Sequence, residues 1–480
     1  MLSRPLAILA LILPGVAAAE ATPQGAADLT ALLQTYLGRT PGVVGVVADG
    51  DAYAVTLDAG PVLAMIPAGA GMTVTASPFR MRLTDNGDGT WGVVQDQALR
   101  LTASAPGRTD ITVAADRAAC TGVFDGALRA FVRNECEITA LSVDQVTEDP
   151  ILGRQVSTQY SERVVTRSTG AAGVAGGVDG TFSYTETGGR SVIEGPLAPG
   201  SAPVTLTVSY AGTSYEARTT GVRNAELLAA LAWVVANPGP AATAARRDEI
   251  KRILGAGLPW FGEIDATGTI DSLNVGSPLG PFTAARVGFG GTVRGAVAEG
   301  LYKLAFSVEG LAVPPGLVPP FAEALVPGSV SLGVAASGYD AGAAAGVLLD
   351  LFDLAPGAEP SPGFDGRLLS ALLPDGTVDI TLTPGTVANA LHGLRFQGAM
   401  AAGPGAPPTG SGTVSATGLD AAIAALDSAP QAVKDQVLPV LGLARGLARP
   451  GPDGALVWEI DATTPGSVLV NGLDLMGLAP

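Results

Sequence analysis

From about Val43 to Val222, apolar and polar residues alternate with a period of two, β-branched residues are frequent, and turn signals recur at short intervals. A period of two places successive side chains on opposite faces of a pleated ribbon, so this stretch is committed to long strands in an antiparallel meander. The clearest strand runs from Val204 to Tyr210. It sets Val204, Leu206, Val208 and Tyr210 on one side and Thr205, Thr207 and Ser209 on the other. Asn86-Gly87-Asp88-Gly89, between Phe79–Leu83 and Trp91–Val94, predicts a hairpin turn. Asp85 to Gly89 also carries enough oxygen ligands to invite calcium, but the spacing is not that of an EF-hand and no closing Glu follows.

The flanking regions read differently. In residues 20–40, Leu29, Leu32, Leu33, Tyr36 and Leu37 share one face of a short helix that Asp28 can cap and Gly38 can end. After a β-rich region at 41–223, residues 224–480 mix helices and strands. Helices are expected from Asn224 to Val235, stopped by Asn237-Pro238, and over Arg246–Leu254, Asp340–Leu354, Leu419–Leu426 and Val433–Leu447, the last kinked at Pro439. Strands are expected at Tyr302–Val308 and Thr377–Thr383. The fold class predicted is α+β and β-dominated, an extended, curved antiparallel sheet with helices packed on one side. Two internal echoes point to helix-then-strand units: Glu263-Ile264-Asp265-Ala266-Thr267 returns as Glu459-Ile460-Asp461-Ala462-Thr463, and Ala324–Ser331 is echoed by Ala371–Asp379.

The first nineteen residues form a leader. A basic Arg4, an apolar run from Leu6 to Leu13 and Ala17-Ala18-Ala19 make a signal peptide with cleavage expected after Ala19. The run is shorter than the roughly 20 apolar residues a membrane span requires; retention as an uncleaved anchor is the alternative. Later apolar stretches are interrupted by Gly, Pro or charge, so the mature chain is expected to lack a transmembrane span. The two cysteines, Cys120 and Cys136, fit an oxidising compartment and predict a disulfide contributing roughly 3 kcal/mol.

Charge and motif content exclude several functions. With 27 basic against 44 acidic residues the net charge is −17, and the lysines Lys251, Lys303 and Lys434 are scattered, which argues against nucleic acid and anionic membrane surfaces. His392 is the only histidine, so His-rich metal sites are absent from the sequence and any Ser-His-Asp triad must use it; no Gly-x-Ser-x-Gly, P-loop or dinucleotide motif occurs. The pairs Glu263/Asp265 and Glu459/Asp461 recommend themselves as glycosidase couples only by proximity, since alternation puts both members on one solvated strand face. No catalytic, cofactor or metal residue is assigned.

What remains is surface. Strands oppose an apolar face with Thr, Ser, Ala or Gly, and mean hydropathy is +0.36. A curved sheet of this kind forms a groove for acyl chains or another apolar ligand, with Val204, Leu206, Val208, Tyr210, Tyr302, Leu304, Phe306 and Val308 as candidate lining residues. The bland alternative is a large Ala-rich core.

The ending of the chain carries a resemblance. Ser411-Gly412-Thr413-Val414-Ser415-Ala416-Thr417-Gly418-Leu419-Asp420, the helix to Leu447, Asp453-Gly454-Ala455-Leu456 and Ser467–Leu475 with its Asn471-Gly472 turn resemble exported alphaproteobacterial proteins of a domain of unknown function. More distantly they resemble envelope proteins of the AsmA and YdgA type. That resemblance implies a long curved sheet with an apolar groove and supplies no catalytic residues; those relatives keep a membrane anchor that this chain is expected to lose. The expectation is a non-enzymatic periplasmic protein that binds or shields an apolar, lipid-like envelope component or supports envelope assembly. A structural or protein-binding β-protein and an unrecognised hydrolase are the alternatives.

Overall fold

The computed structural model describes residues 20–65, 71–105, 107–353 and 358–475. The predicted leader and its cleavage point lie outside them. Helix α1 (Pro23–Leu37) precedes β1 (Val44–Asp49), β2 (Ala52–Leu57), the one-turn α2 (Gly60–Leu63), β3 (Thr73–Ala76) and β4 (Phe79–Asp85). Six strands of 16 to 20 residues follow: β5 (Thr90–Ala105), β6 (Thr109–Asp125), β7 (Ala130–Asp149), β8 (Gly153–Ala172), β9 (Val178–Pro196) and β10 (Pro203–Val222). Next come α3 (Asn224–Ala236), α4 (Pro240–Ala245), α5 (Arg247–Gly257), β11 (Glu263–Ser277), β12 (Gly280–Arg294), β13 (Leu301–Glu309), α6 (Pro320–Glu323) and β14 (Ser329–Ser337). The chain continues through α7 (Ala341–Leu349), α8 (Phe364–Leu372), β15 (Val378–Ala388), β16 (Gly393–Gly403), β17 (Ala406–Thr417), α9 (Leu419–Ala425) and α10 (Gln431–Leu447). It ends with β18 (Arg449–Pro450), β19 (Leu456–Ala462), β20 (Leu469–Val470) and β21 (Leu473–Asp474).

From β4 to β17 each strand pairs antiparallel with the next in sequence, and β19 adds to β17. Strand β4 takes one half of the outer edge of β5, with β2 and then β1 paired beyond it, and β3 takes the other half. Twenty-one strands thus form one sheet, and no pairing joins β1 to β21 among the described residues, so it is open. The β-dominated antiparallel architecture is as the alternation predicts, and β10 pairs along most of its length with β11, carrying the sheet from the β-rich region into the α+β region.

Local chemistry explains the turns. Asn86 N–H donates to the Thr90 carbonyl at 3.1 Å, Asp85 accepts from Gly87 N–H, and Asp88 accepts from Thr90 N–H and hydroxyl. Gly87 and Gly89 take positive φ, so the predicted hairpin forms and the turn's own donors engage the carboxylates that would invite calcium. Cys120 and Cys136 are directly opposed on β6 and β7 and are joined by the expected disulfide, with 4.0 Å between their Cα atoms.

The helices depart from expectation in detail. Thr22, not Asp28, caps α1: its hydroxyl accepts from Gly25 N–H at 3.0 Å, and Pro23 starts the helix where its missing N–H is no loss. Asp28 lies inside α1 and accepts from Gln24. Gly38 does end α1, at φ 85°. Asp340 caps α7, α10 continues through Pro439, and α8 has no counterpart among the helices read from the pattern. The neighbours α1, α3, α5, α7 and α8 touch in that order, a row standing where β10 gives way to β11 and β14 to β15. Antiparallel alternation puts those two connections at the same end of the strands; α6, α9 and α10 join strands at the other end. The well-buried apolar residues include Ala26, Tyr53 and Val55 where α1 meets the first strands, Trp233, Ile250 and Ala344 in the helix row, and Ala115, Ala118, Val164 and Ala217 mid-strand.

A line of backbone irregularity crosses the sheet. Ala140, Gly188, Ser272 and Gly310, one on each of β7, β9, β11 and the end of β13, adopt left-handed φ values of 51°, 67°, 55° and 65°. The register sets Glu162 level with Ala140 and Gly188, Ala211 level with Gly188 and Ser272, and Ala285 level with Ser272 and Gly310. The alternation of faces reverses across this line, the bulge line, although the register does not shift. Along β10 the less exposed residues are therefore Val204, Leu206, Val208 and Tyr210 before the line, but Thr213, Tyr215 and Ala217 after it.

Candidate apolar binding face

Directly opposed residues project from the same side of a sheet, so the register traces each face across many strands. One row runs Cys136, Thr166, Tyr184, Tyr215, Gly268, Phe289, Phe306 and Leu332 from β7 to β14. Beyond the bulge in β15 it resumes with Phe396, Val414 and Trp458. The row beside it runs Ala266, Gly291, Leu304, Val334 and Leu382, and the next runs Ile264, Val293, Tyr302 and Ala336 to Ile380 and Met400. From β11 to β19 this face carries no charged side chain among the described residues.

Its apolar groups are uncovered. Phe289, Tyr302, Leu304, Phe306, Leu332, Val334, Leu382 and Met400 all remain solvent-exposed, Phe306 by 43% and Tyr302 by 47%. Tyr302, Leu304 and Phe306 meet Tyr215, Ile264, Phe289, Val293, Leu332 and Val334 around a concavity of about 530 Å³. A second hollow of about 380 Å³ lies among Ile380, Leu382, Phe396, Met400, Val414 and Ile460. The two adjoin, because Val334 of the first is directly opposite Leu382 of the second.

Glycine shapes the surface. Phe289 lies over Gly268, Phe396 over Gly385 and Tyr210 over Gly189, in each case the residue directly opposite, and a Cβ at any of these glycines would collide with the ring. The missing side chains let the rings fold down across the neighbouring strand, which is the use of glycine in a strand interior.

The other face is polar. Arg163 pairs with Glu137, Arg167 with Glu135, Arg117 with Asp96 and Arg286 with Asp271, and the hydroxyls of Ser214 and Thr269, and of Ser331 and Thr386, meet at 2.9 Å. Glu459 and Asp461 lie here opposite Thr413 and Ser411. Glu459 is 3.5 Å from Arg449, Asp461 is held below the usual carboxylate range by the Thr463 hydroxyl and N–H, and Glu263 is bound by Arg294 at 3.1 Å. His392 is part-buried in a loop, 3.2 Å from the Leu325 carbonyl and 3.3 Å from the Asn389 amide.

Of the eight candidate lining residues, Tyr302, Leu304 and Phe306 surround the larger hollow. Val308 extends the same face between Val287 and Val330. Val204, Leu206, Val208 and Tyr210 share the face but stand across the bulge line, outside both hollows.

Glu186 escaped the sequence reading. Away from the strand ends it is the one charged side chain on this face of β5–β17 and β19 among the described residues. It is buried, 7% exposed, and accepts hydrogen bonds from Ser161 Oγ at 2.5 Å, Tyr184 Oη at 2.7 Å and Tyr210 Oη at 2.7 Å. Burial, and then the bond to Glu186, push both phenols above the ordinary tyrosine range. The signal was available: Glu186 is in phase with Phe182 and Tyr184.

No family model, curated protein or solved structure matches the chain. Among the described residues, no helix is long and apolar enough to cross a membrane and no group of His, Cys, Asp and Glu is arranged to hold a metal ion.

Proposed function

We propose that this chain is a non-enzymatic protein of the cell envelope, exported to the periplasm with cleavage after Ala19, whose open sheet face binds or shields an apolar, lipid-like component. In this reading the sheet curves with its helices held to one side. The chain then stands with the exported alphaproteobacterial proteins it resembles and, more distantly, with those of the AsmA and YdgA type. The observation that carries the reading is a face charge-free from β11 to β19 among the described residues, whose large apolar side chains stay exposed from β12 to β16.

Its size supports the same conclusion. The exposed apolar side chains occupy β12 to β16, strands spaced about 4.8 Å apart that together span roughly 20 Å, and run for roughly 20 Å along them. That is the size of the largest apolar patch, about 300–600 Å², which on a soluble monomer is often a functional surface. Both hollows fall in the size range of sites for small apolar ligands. An acyl chain lying across the strands covers side chains that water solvates poorly, and each Å² removed from water contributes about 25 cal/mol.

The test is native mass spectrometry of the mature protein from a detergent-free periplasmic extract, with analysis of whatever is released. A stoichiometric apolar molecule is the expected result. A clean apo mass overturns tight carriage.

A further inference from the structure

The position of Glu186 narrows the class of ligand. Tyr184 is directly opposite Tyr215, which lines the larger hollow, and Glu186 follows Tyr184 by two residues on the same face. About 7 Å of strand separates the two positions. This carboxylate therefore stands near the apolar hollow, held by Tyr184 and Tyr210, with Tyr215 opposite Tyr184 and in edge contact with Phe182 at 6.1 Å.

We propose that this cluster receives the head of the bound amphiphile and that the head is a cationic ammonium group. The inference rests on the apolar-binding reading above. A carboxylate has about four acceptor positions, and three hydroxyls occupy three of them. Among the described residues no Arg or Lys pairs with Glu186, and its hydrogen-bond partners are hydroxyls that donate. The Tyr184 oxygen keeps its lone pairs, and the Tyr210 oxygen keeps one beside the bond it accepts from the Thr213 hydroxyl, so the cluster offers acceptors and negative charge to whatever enters. Ring faces beside a carboxylate attract an ammonium group, which is the chemistry of aromatic cages. A carboxylate, sulfate or phosphate head meets the opposite: like charge in an apolar setting, with the three hydroxyl donors already committed to Glu186. Charge complementarity thus selects a cationic head at this end of the hollow, with the tail laid over Phe289, Phe306 and Leu304.

Calorimetric titration of the full mature chain with dodecyltrimethylammonium, dodecanoate and 1-dodecanol, each below its self-association range, separates the possibilities. The expected result is at least tenfold tighter binding of the ammonium than of the carboxylate probe. Glu186→Gln should abolish that preference while leaving dodecanol binding in place. Tyr184→Phe, which keeps the ring and the charge and removes one donor, provides a second variant should Glu186→Gln fail to fold, and it should shift the preference without erasing it. Equal binding of all three heads, or a preference unchanged in both variants, overturns the cationic head while sparing the apolar face. Failure of every probe to bind overturns the apolar-binding reading itself.

Discussion

Tyr210 donates its hydroxyl hydrogen to Glu186 Oε1 at 2.7 Å, although strict alternation along β10 would send Tyr210 and Thr213, the residue opposite Glu186, to different faces. The line passes between them at Ala211, level with the left-handed Gly188, and the reversal of faces across it brings both to one side. Glu186 consequently bonds across the bulge line, to Ser161 and Tyr210 on one side of it and to Tyr184 on the other.

This arrangement has a signature in alkali. Burial and the bond to Glu186 raise the Tyr184 and Tyr210 phenols above their usual range. A folded value above the unfolded one gives stability that is whole below the ordinary phenol value of about 10 and is lost as pH rises through the folded value. Urea midpoints of the native chain should therefore fall more steeply above pH 10 than those of a Tyr184→Phe, Tyr210→Phe double variant. Parallel curves would contradict the assignment.

The bulge line is testable through its non-glycine members. Alanine in the left-handed region costs about 1–2 kcal/mol, a penalty glycine escapes. Ala140→Gly should stabilise the protein by about 1 kcal/mol in urea unfolding. Gly188→Ala should do the reverse, and by more, because its new Cβ would press on Glu162.

Reduction of Cys120–Cys136 should lower stability without opening the sheet. The bridge closes a loop with a sequence separation of 16, for which chain entropy predicts about 3 kcal/mol. β6 and β7 are already held by a continuous ladder, so far-ultraviolet circular dichroism should be unchanged on reduction at 25 °C while the thermal midpoint drops.

Exposed and buried apolar residues should part company under mutation. Phe306→Gln and Leu304→Gln remove side chains that already meet water and should change stability by less than about 0.5 kcal/mol. Both should sharply reduce uptake of an apolar fluorescent dye. Val55→Ala, at a site 1% exposed, should cost about 2 kcal/mol and leave dye uptake intact.

Much of this fold is legible in the chain because β-structure writes its period directly. The Asn86–Gly89 turn and the Val204–Tyr210 and Tyr302–Val308 strands follow from alternation and turn chemistry, and the Cys120–Cys136 pair from two cysteines in a chain expected to be exported. The reversal of faces does not, since Ala140 and Ser272 are not residues that announce a left-handed conformation. Without that reversal, Tyr215 reads as belonging to the face opposite Tyr210, and the row that joins Tyr184 to Phe306 cannot be drawn. Glu186 was hidden by a habit of reading, which assigns every strand carboxylate to solvent. Gly189, Gly268 and Gly385 read as turn-prone until the aromatic residues opposite them are known.

Pairing almost wholly between chain neighbours makes the sheet additive. Each hairpin supplies its own inward row and needs no distant segment to complete it, so the architecture behaves as a one-dimensional array. Inserting or deleting a hairpin would lengthen or shorten the apolar face by two strand widths and leave the remaining register untouched. The reach of that face is therefore a quantity evolution can adjust in small steps, separately from the chemistry at any one position along it.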